Sequence, residues 1–294
     1  MSVSAKVICD SKHRDTRLIT LEVEMHRFIL PEFNTHRMIS RNFQSSRAVP
    51  VEKMIEQVRN DPAIPVHWGK NQPGMVAKEE GDVFTGVQIW DNAAQSAVEY
   101  ADKLNKNGFH KQIVNRILEP FMWTKGVVTA TEKTWNEFFK LRLHPDAQPE
   151  IYALAAHIKK AIGDSIPVML KAGEWHTPYA CASDFPPAKY GLMRDVKEAR
   201  IKVSASCNAQ VSYRKLDDSL EKAMKVYDML NLPVNGVYPD DPPHFSPTEH
   251  IAKAGDCDVQ LSGNFHTDDF IQYRKVLELG IENKVIEGVY YELS

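Results

Sequence analysis

The sequence predicts an α+β fold in which a mixed sheet packs against long helices. Apolar and polar residues alternate over residues 17–25, with Ile19, Leu21 and Val23 on one face, which is typical of a half-buried strand. Apolar residues recur at helical spacing in residues 92–107, 134–143, 149–162 and 217–230. Because strands and helices do not follow a regular β-α-β order, α+β is favoured over α/β.

The remaining elements are predicted from shorter patterns. Short helices are expected after Pro50, over residues 110–118 and over residues 270–279, and residues 201–213 contain a strand-like stretch. Residues 60–87 and 163–199 are rich in proline, glycine and polar residues, and are expected to be irregular.

Composition narrows the class of protein. The 294 residues are 43% apolar and 26% charged with a formal net charge of −3, which is typical of a soluble globular protein and argues against a broad nucleic-acid-binding surface. No apolar run approaches the length of a membrane span, and the first residues do not resemble a signal peptide, so we expect a cytoplasmic protein without a membrane partner. The four cysteines form no C-x-x-C pair and are expected to be reduced thiols.

Residues 35–47 carry the strongest indication of function. This stretch holds three arginines, one histidine and three serines, and follows the predicted strand and Pro31. Hydroxyl groups can hold phosphate oxygens, and arginine can bind them with two parallel hydrogen bonds. The alternative is a solvated polar loop without a ligand.

The same residues, T-H-R-M-I-S-R-N-F-Q-S-S-R, resemble the signature of the flavin-dependent thymidylate synthases, R-H-R-x-x-S-x-N-E-x-S-x-R. The signature departs at two positions, where Thr35 replaces the first arginine and Phe43 replaces the glutamate. The matching positions are His36, Arg37, Ser40, Asn42, Ser45 and Arg47.

The resemblance implies roles for individual residues in and beside this segment. His36, Arg37 and Met38 are implied as flavin contacts. The implied nucleotide contacts are Glu32, Gln44, Ser45, Ser46 and Arg47, and Ser45 is also implied as catalytic.

Two later motifs resemble the same family. Arg116 lies in R-I-L-E-P, which resembles a helix-ending A-R-x-x-L-P element whose arginine binds the nucleotide phosphate, although an ordinary surface arginine is the alternative. Residues 138–142, F-F-K-L-R, followed by A-Q-P-E-I, resemble N-F-x-x-L-R and A-Q-x-E-I. Arg142 is thereby implied as the catalytic arginine on the pyrimidine ring, where it would stabilise negative charge and make C5 nucleophilic. Asn136 and Leu141 are implied as flavin contacts, and the alternative for Arg142 is a helix C-cap.

Two further motifs match the family out of order. Residues 244–250, H-F-S-P-T-E-H, and residues 209–213, A-Q-V-S-Y, resemble flavin-binding elements that ordinarily precede the signature. The implied flavin contacts are Ser212, His244, Ser246 and Glu249. Joining His250 to Arg17 would restore the family order, so a circular permutation or an equivalent segment exchange is expected, which needs neighbouring termini and a surface break point. A metal site formed by the two histidines and the glutamate is the alternative.

The resemblance implies a single domain over residues 1–294, with its core in residues 17–151 and 202–250 and insertions near 60–87 and 163–199. The implied activity binds FAD, takes a one-carbon unit from methylenetetrahydrofolate and transfers it to C5 of dUMP, giving dTMP, with NADPH as reductant and a homotetramer as the assembly. The departures at Thr35 and Phe43 favour, as one alternative, a pyrimidine-nucleotide hydroxymethylase. A catalytically silent flavin- or nucleotide-binding homologue is a second alternative, and a structural protein is a third.

Overall fold

A five-stranded sheet forms the centre of the molecule. The computed structural model describes residues 2–74, 76–180, 193–212 and 216–287. The strand order of the main sheet is β3-β4-β2-β1-β5. Its strands are β1 (Ser4–His13), β2 (Thr16–His26), β3 (Ser40–Phe43), β4 (Trp123–Thr131) and β5 (Val168–Met169). Neighbouring strands are antiparallel except β1 and β5, which are parallel, so the predicted mixed sheet is confirmed.

A smaller antiparallel sheet lies towards the C-terminal part of the chain. It consists of β6 (Trp175–His176), β7 (Ala252–Ala254) and β8 (Phe270–Gln272). The helices are α1 (Leu30–Phe33), α2 (Val51–Asn60), α3 (Val83–Lys106), α4 (Lys111–Leu118), α5 (Glu132–Arg142), α6 (Pro149–Gly163), α7 (Met193–Ala209), α8 (Leu220–Met229), α9 (Tyr273–Glu278) and α10 (Glu282–Glu287).

Strand β2 is covered on both faces. The alternating residues Ile19, Leu21 and Val23 form the buried face that the sequence predicts, and this face packs against α5 and α6. On the other face, Leu18 packs with residues of β7 and β8, and Thr20 is fully buried. The strand is therefore more deeply buried than its alternation indicated, because the smaller sheet covers the face that was expected to meet solvent.

Two further apolar cores are built largely from helices. Helices α2, α3 and α4 bury their apolar faces against one another, so each of these predicted helices is confirmed. The other core joins α7, α9 and α10 to the loop before β7. In the described part of the chain, no helix is long and apolar enough to cross a membrane.

The prediction of a strand-like stretch within residues 201–213 is wrong, because most of these residues belong to helix α7. Residues Ile201, Val203, Ala205 and Cys207 alternate along the sequence, and all four are buried. The intervening Ser204 and Ser206 are fully buried as well. Small residues let this helix be enclosed by two apolar clusters, and that enclosure removes the amphipathic period that would have indicated a helix.

Other boundaries also differ from prediction. The helix predicted over residues 270–279 begins with strand β8, since Phe270–Gln272 pair with β7. Helix α3 starts nine residues before the predicted residue 92, at Val83, where the Asp82 carboxylate accepts the Thr85 N–H at 3.2 Å. Strand β4 was not predicted, because nearly all of its residues are buried and its sequence does not alternate.

Among the described residues, Cys9, Cys207 and Cys257 form no disulfide bond. The fourth cysteine, Cys181, lies outside the described residues.

Candidate active site

Residues 35–47 run along the outer edge of the main sheet. A turn follows α1, in which the Ile39 N–H donates to the His36 carbonyl at 3.1 Å. Strand β3 then pairs with β4 and ends at Phe43. The segment is thereby divided, with His36 before the edge strand and Ser45 after it.

Arg142 joins the first half of this segment at the C-terminal end of α5. Its Nε donates to Nε2 of His36 at 2.8 Å. One terminal nitrogen forms an ion pair with the Glu32 carboxylate, and the other donates to the Thr35 hydroxyl at 3.5 Å. The Arg142 side chain is 18% exposed, and these three contacts hold its guanidinium in one orientation at the boundary between core and solvent. Three residues that the sequence assigned to different ligands therefore lie together.

The geometry requires His36 to be neutral. Its Nε2 accepts from a permanently charged guanidinium, so that nitrogen carries no proton and Nδ1 carries it instead. Burial, followed by the charges of Arg142 and Arg41, lowers the pKa of His36 to about 4. The ring packs edge-on against Phe138, with centroids 4.8 Å apart. This histidine is consequently an uncharged, oriented group at neutral pH.

A cavity of about 1240 Å³ opens beside Arg142 and Glu32. Its walls include the start of α6 and part of the 60–87 segment. Glu150, 4% exposed, joins these two walls, because its carboxylate accepts the Val66 N–H at 3.0 Å and the Gln148 amide at 3.1 Å. The cavity is large enough for a nucleotide-sized ligand.

A second polar group lies beyond the other end of β3. The Ser46 hydroxyl is buried and donates to Glu119 at 2.8 Å. Asn115 of α4 donates its amide to the carbonyls of Ser46 and Val49, at 2.6 and 3.0 Å. These bonds fix the loop that carries Ser45 and Arg47.

Arg27 also contributes to this second group. Its guanidinium donates to the Gln44 carbonyl at 3.0 Å and lies 3.6 Å from the Glu119 carboxylate. Arg47 and Arg116 are both exposed near this loop and α4. The predicted phosphate-binding residues therefore lie together at one end of β3. They form a group separate from the residues that bond to Arg142.

The third group comes from the far end of the sequence. A 3-10 helix, Ser246–His250, packs on β3 and β4. The Asn42 amide donates to the Asn208 carbonyl at 2.6 Å, and the Asn208 amide donates to the Pro247 carbonyl at 3.0 Å. Residues 244–250 thus contact the same strand that carries the central part of the 35–47 segment.

Gln272 strengthens this junction. Its amide nitrogen lies 3.3 Å from the Ser40 hydroxyl and donates to the Glu249 carbonyl at 3.0 Å. The Glu249 carboxylate forms an ion pair with Arg274. Glu249, predicted as a flavin contact, is therefore already neutralised by a cation within the chain.

Beneath these surface groups, a row of buried polar side chains crosses the sheet. Nε2 of His176 lies 2.8 Å from the Thr20 hydroxyl, which lies 2.7 Å from the Thr129 hydroxyl. Thr129 in turn lies 2.8 Å from Nδ1 of His250. Burial is the main cause that lowers the pKa of both histidines to about 3, and the proximity of His176 contributes to the lowering at His250. The row connects the main sheet to β6 and to the 3-10 helix.

The remaining predicted flavin contacts occupy several surfaces. Arg37, Met38, His244, Ser246 and Leu141 are exposed. Asn136 lines a second cavity of about 890 Å³, bordered by the β1–β2 turn, α5 and residues 265–268. The backbone of Ser212 belongs to a short 3-10 helix, and its side chain lies outside the described residues.

Asn115 and Asn208 are among the polar residues of these groups that were not predicted. Asn115 is fully buried beside Val114 on α4, and a polar residue on an apolar helix face is a signal that could have identified it. Asn208 gave no such signal, because α7 lies between two apolar clusters and presents no single apolar face in its sequence. Among the described residues, no group of three or more histidine, cysteine, aspartate or glutamate side chains could hold a metal ion.

The fold and the site define an α+β protein with an arginine–histidine–carboxylate site at the edge of a mixed sheet. The model of the family "Thymidylate synthase complementing protein" matches residues 15–168, just over half of the chain, and the protein belongs to this family. The match includes β2, the 35–47 segment and Arg142, and it ends before residues 244–250.

A curated relative is the flavin-dependent thymidylate synthase of Aquifex aeolicus (strain VF5), which is 27% identical over 151 residues. The alignment covers 51% of this chain and 46% of that protein, so it spans less than half the relative's length.

Two solved structures resemble parts of the chain. Both are of the UMP/dUMP methylase PolB from Streptomyces cacaoi. The complex with 5-Br UMP has a TM-score of 0.46 at 15% identity and covers 57% of this chain and 90% of PolB. The complex with 5-Br dUMP has a TM-score of 0.43 at 20% identity and covers 52% and 68%.

Proposed function

We propose that the protein is a flavin-dependent enzyme that transfers a one-carbon unit from methylenetetrahydrofolate to C5 of dUMP, giving dTMP. The observation that carries the proposal is the cluster of Arg142, His36 and Glu32 at a cavity of nucleotide size. Family membership supports the same reaction. FAD is the proposed cofactor, NADPH the proposed reductant, a homotetramer the proposed assembly and the cytoplasm the proposed location.

The chemistry of the cluster fits a uracil ring. The imide edge of uracil presents carbonyl acceptors and one N–H donor, and Arg142 and Glu32 supply a donor and an acceptor of matching type. His36 and Glu32 hold the guanidinium in a fixed orientation, so little reorganisation is needed when charge develops on the ring. Arg142 would stabilise negative charge on the ring amide and thereby raise the nucleophilicity of C5.

The surface around the 35–47 segment fits a flavin. Arg37 provides an exposed cation for the pyrophosphate, and the adjacent Met38, 36% exposed, provides apolar surface for an aromatic ring. His36 adds an uncharged imidazole beside them. When bound, the flavin would supply the hydride that reduces the transferred carbon to a methyl group. Asn136, Leu141, Ser212, His244 and Ser246 remain proposed flavin contacts.

The nucleotide phosphate is proposed to bind at the far end of β3. Arg47 and Arg116 are exposed cations there, and Gln44, Ser45 and Ser46 belong to the loop that Asn115 anchors. Within one chain, this phosphate-binding group is separate from the cluster around Arg142. The proposed tetramer would explain the separation, because one subunit would provide the phosphate-binding group and another the ring-binding group.

The out-of-order elements are proposed to reflect a circular permutation or segment exchange within a single domain. The contacts of Asn42 with Asn208, and of Gln272 with both Ser40 and Glu249, support this proposal. They bring residues 244–250 onto the signature strand within one chain, as a rearranged sequence order with an unchanged fold would require.

A hydroxymethylase is the second candidate, and the environment of Phe43 favours it. The ring takes the position of the family's glutamate and packs against Phe33, with centroids 5.5 Å apart. Thr35, in place of an arginine, donates to the Glu32 carbonyl at 2.7 Å. The segment therefore has one carboxylate and one cation fewer than the family signature, which could let water replace hydride at the transferred carbon.

Two measurements test these proposals. The purified protein should show the absorption bands of an oxidised flavin, and a colourless protein that does not bind added FAD would exclude the enzymatic proposal. Incubation with dUMP, methylenetetrahydrofolate and NADPH, followed by mass spectrometry, should then give thymidylate. A product heavier by one oxygen identifies the hydroxymethylase, whereas ligand binding without any product identifies a catalytically silent homologue.

A further inference from the structure

The cavity beside Arg142 has a wall formed by the insertion near residues 60–87. Val66, His67 and Lys78 line the cavity together with Glu32 and Arg142. The sequence indicated no function for this insertion, and the family motifs do not include it. Its side chains are therefore additional candidates for contact with whatever occupies the cavity.

The wall is firmly attached to the rest of the molecule. Glu150 accepts the Val66 N–H at 3.0 Å, and His26 donates to the Ile64 carbonyl at 2.8 Å. Trp68 lies directly against Gly86 at the start of α3, where an added Cβ would approach ring atom Cε3 to 2.6 Å. These contacts hold the insertion in place from three elements.

The two sides of the insertion are also tied to each other. Nε2 of His67 donates to the Ala77 carbonyl at 2.8 Å, one residue before Lys78. The Lys70 N–H donates to the Glu79 carbonyl at 2.8 Å, one residue after it. The backbone of Lys78 is consequently bracketed by hydrogen bonds, although its side chain is exposed.

The charges around the cavity leave Lys78 without a counterion. Glu32 is paired with Arg142, Asp146 lies 3.7 Å from His144, and Glu150 accepts two hydrogen bonds. Within the ranges that the structure describes, no acidic side chain forms an ion pair with Lys78. A lysine ammonium is a compact cation that binds phosphate and carboxylate groups.

The insertion's own acids are also engaged elsewhere. Glu79 pairs with Lys70 at 3.4 Å, and Glu80 lies 3.3 Å from His67. Lys70 is thus a matched lysine in the same insertion, exposed like Lys78, but paired with an acid and absent from the cavity lining.

We propose that Lys78 is a specificity-determining residue that binds an anionic group of a substrate held against Arg142. This inference rests on the proposed function, because it takes the cavity to be the substrate site. The anionic group is either the phosphate of the nucleotide or the glutamate carboxylates of the folate, and the two sources are separable by experiment.

Isothermal titration calorimetry of the flavin-loaded protein provides the test. The ligands are dUMP, deoxyuridine, tetrahydrofolate and tetrahydropteroate, and the proteins are wild type, Lys78→Ala, Lys78→Arg and Lys70→Ala. Lys78→Ala should weaken one anionic ligand about tenfold, which is the size expected for loss of one charge-assisted contact. Lys78→Arg should recover most of that loss, and Lys70→Ala should bind as wild type does.

The affected ligand identifies the source. Weaker dUMP with unchanged deoxyuridine indicates the phosphate, and weaker tetrahydrofolate with unchanged tetrahydropteroate indicates the glutamate tail. Unchanged affinity of Lys78→Ala for both anionic ligands, in a wild-type protein that binds them, would overturn this inference alone. If wild type binds none of the four ligands, the proposed function and this inference both fail.

Discussion

The ring of Phe43 covers the α-carbon of Gly126, which is its partner across strands β3 and β4. A Cβ on residue 126 would collide with the phenyl ring. The residue that replaces the family's glutamate therefore depends on a glycine in the neighbouring strand.

Gly126→Ala should consequently destabilise the protein. We expect a loss of about 1–3 kcal/mol in the free energy of unfolding, the usual range for overpacking. Urea denaturation followed by circular dichroism measures it. Phe43→Ala in the same chain should remove most of the additional loss, because the collision disappears. Purely additive effects of the two substitutions would contradict the proposed contact.

The protonation of His36 gives a prediction that is independent of activity. The pKa of His36 is lowered from 6.5 to about 4, because burial and two arginines disfavour the charged ring. A lowered histidine pKa contributes stability that is complete above pH 6.5 and is lost as the pH falls towards 4. NMR titration of the His36 ring should therefore show no change between about pH 8 and 6. A midpoint near 6.5 would show that Arg142 does not donate to Nε2.

Arg142→Lys should reduce turnover more than it reduces stability. A lysine keeps the charge, but its compact ammonium lacks the planar fork by which Arg142 donates to His36, Glu32 and Thr35 in one fixed geometry. Loss of a preorganised donor at a site of developing charge typically costs about 10²–10³ in kcat. Steady-state kinetics with dUMP measures the effect. Lys140→Ala is the control, since Lys140 lies in the same helix, is exposed and pairs with Glu137. Equal activity of Arg142→Lys and wild type would exclude the proposed role.

Alanine substitutions at Asn115 and Arg116 should have different effects, because Asn115 anchors a loop and Arg116 is a proposed ligand contact. Asn115→Ala removes two hydrogen bonds to carbonyls of the 46–49 loop and should cost about 1–3 kcal/mol. Arg116→Ala, at an exposed position, should change stability by no more than about 0.5 kcal/mol but should weaken dUMP binding. Thermal melts and calorimetry distinguish the two. A strongly destabilised Arg116→Ala protein would show that Arg116 has a structural role instead.

The buried row through Thr129 should make the protein sensitive to acid. His176 and His250 are both neutral in the folded state, with pKa values lowered to about 3. Their contribution to stability is complete above pH 6.5 and decreases as the pH falls from 6.5 towards 3, since only the unfolded chain takes up protons there. The urea midpoint should therefore fall between about pH 7 and pH 5.

His176→Gln is the matched variant for this effect, because glutamine can bond to Thr20 without titrating. It should reduce the slope of the urea midpoint against pH. An unchanged slope would assign the acid sensitivity to other groups.

The sequence alone was sufficient to identify several secondary-structure elements. The alternation of residues 17–25 identified β2, and apolar residues at helical spacing identified α2, α4, α5, α6 and α8, since each presents one face to a core. The motifs in residues 35–47 and 138–142 indicated the family to which the chain belongs. Local patterns are informative in such cases because burial on a single face leaves a period in the sequence.

Tertiary structure decided the elements that are buried on more than one face. Strand β4 shows no alternation and helix α7 shows no helical period, because each is packed against apolar residues on more than one side. The contact between Arg142 and His36 could likewise not be predicted from the sequence, since the two residues are 106 positions apart in the chain. The sequence supplied the guanidinium and the imidazole, and only the packing of α5 against the main sheet brings these two groups within hydrogen-bonding distance.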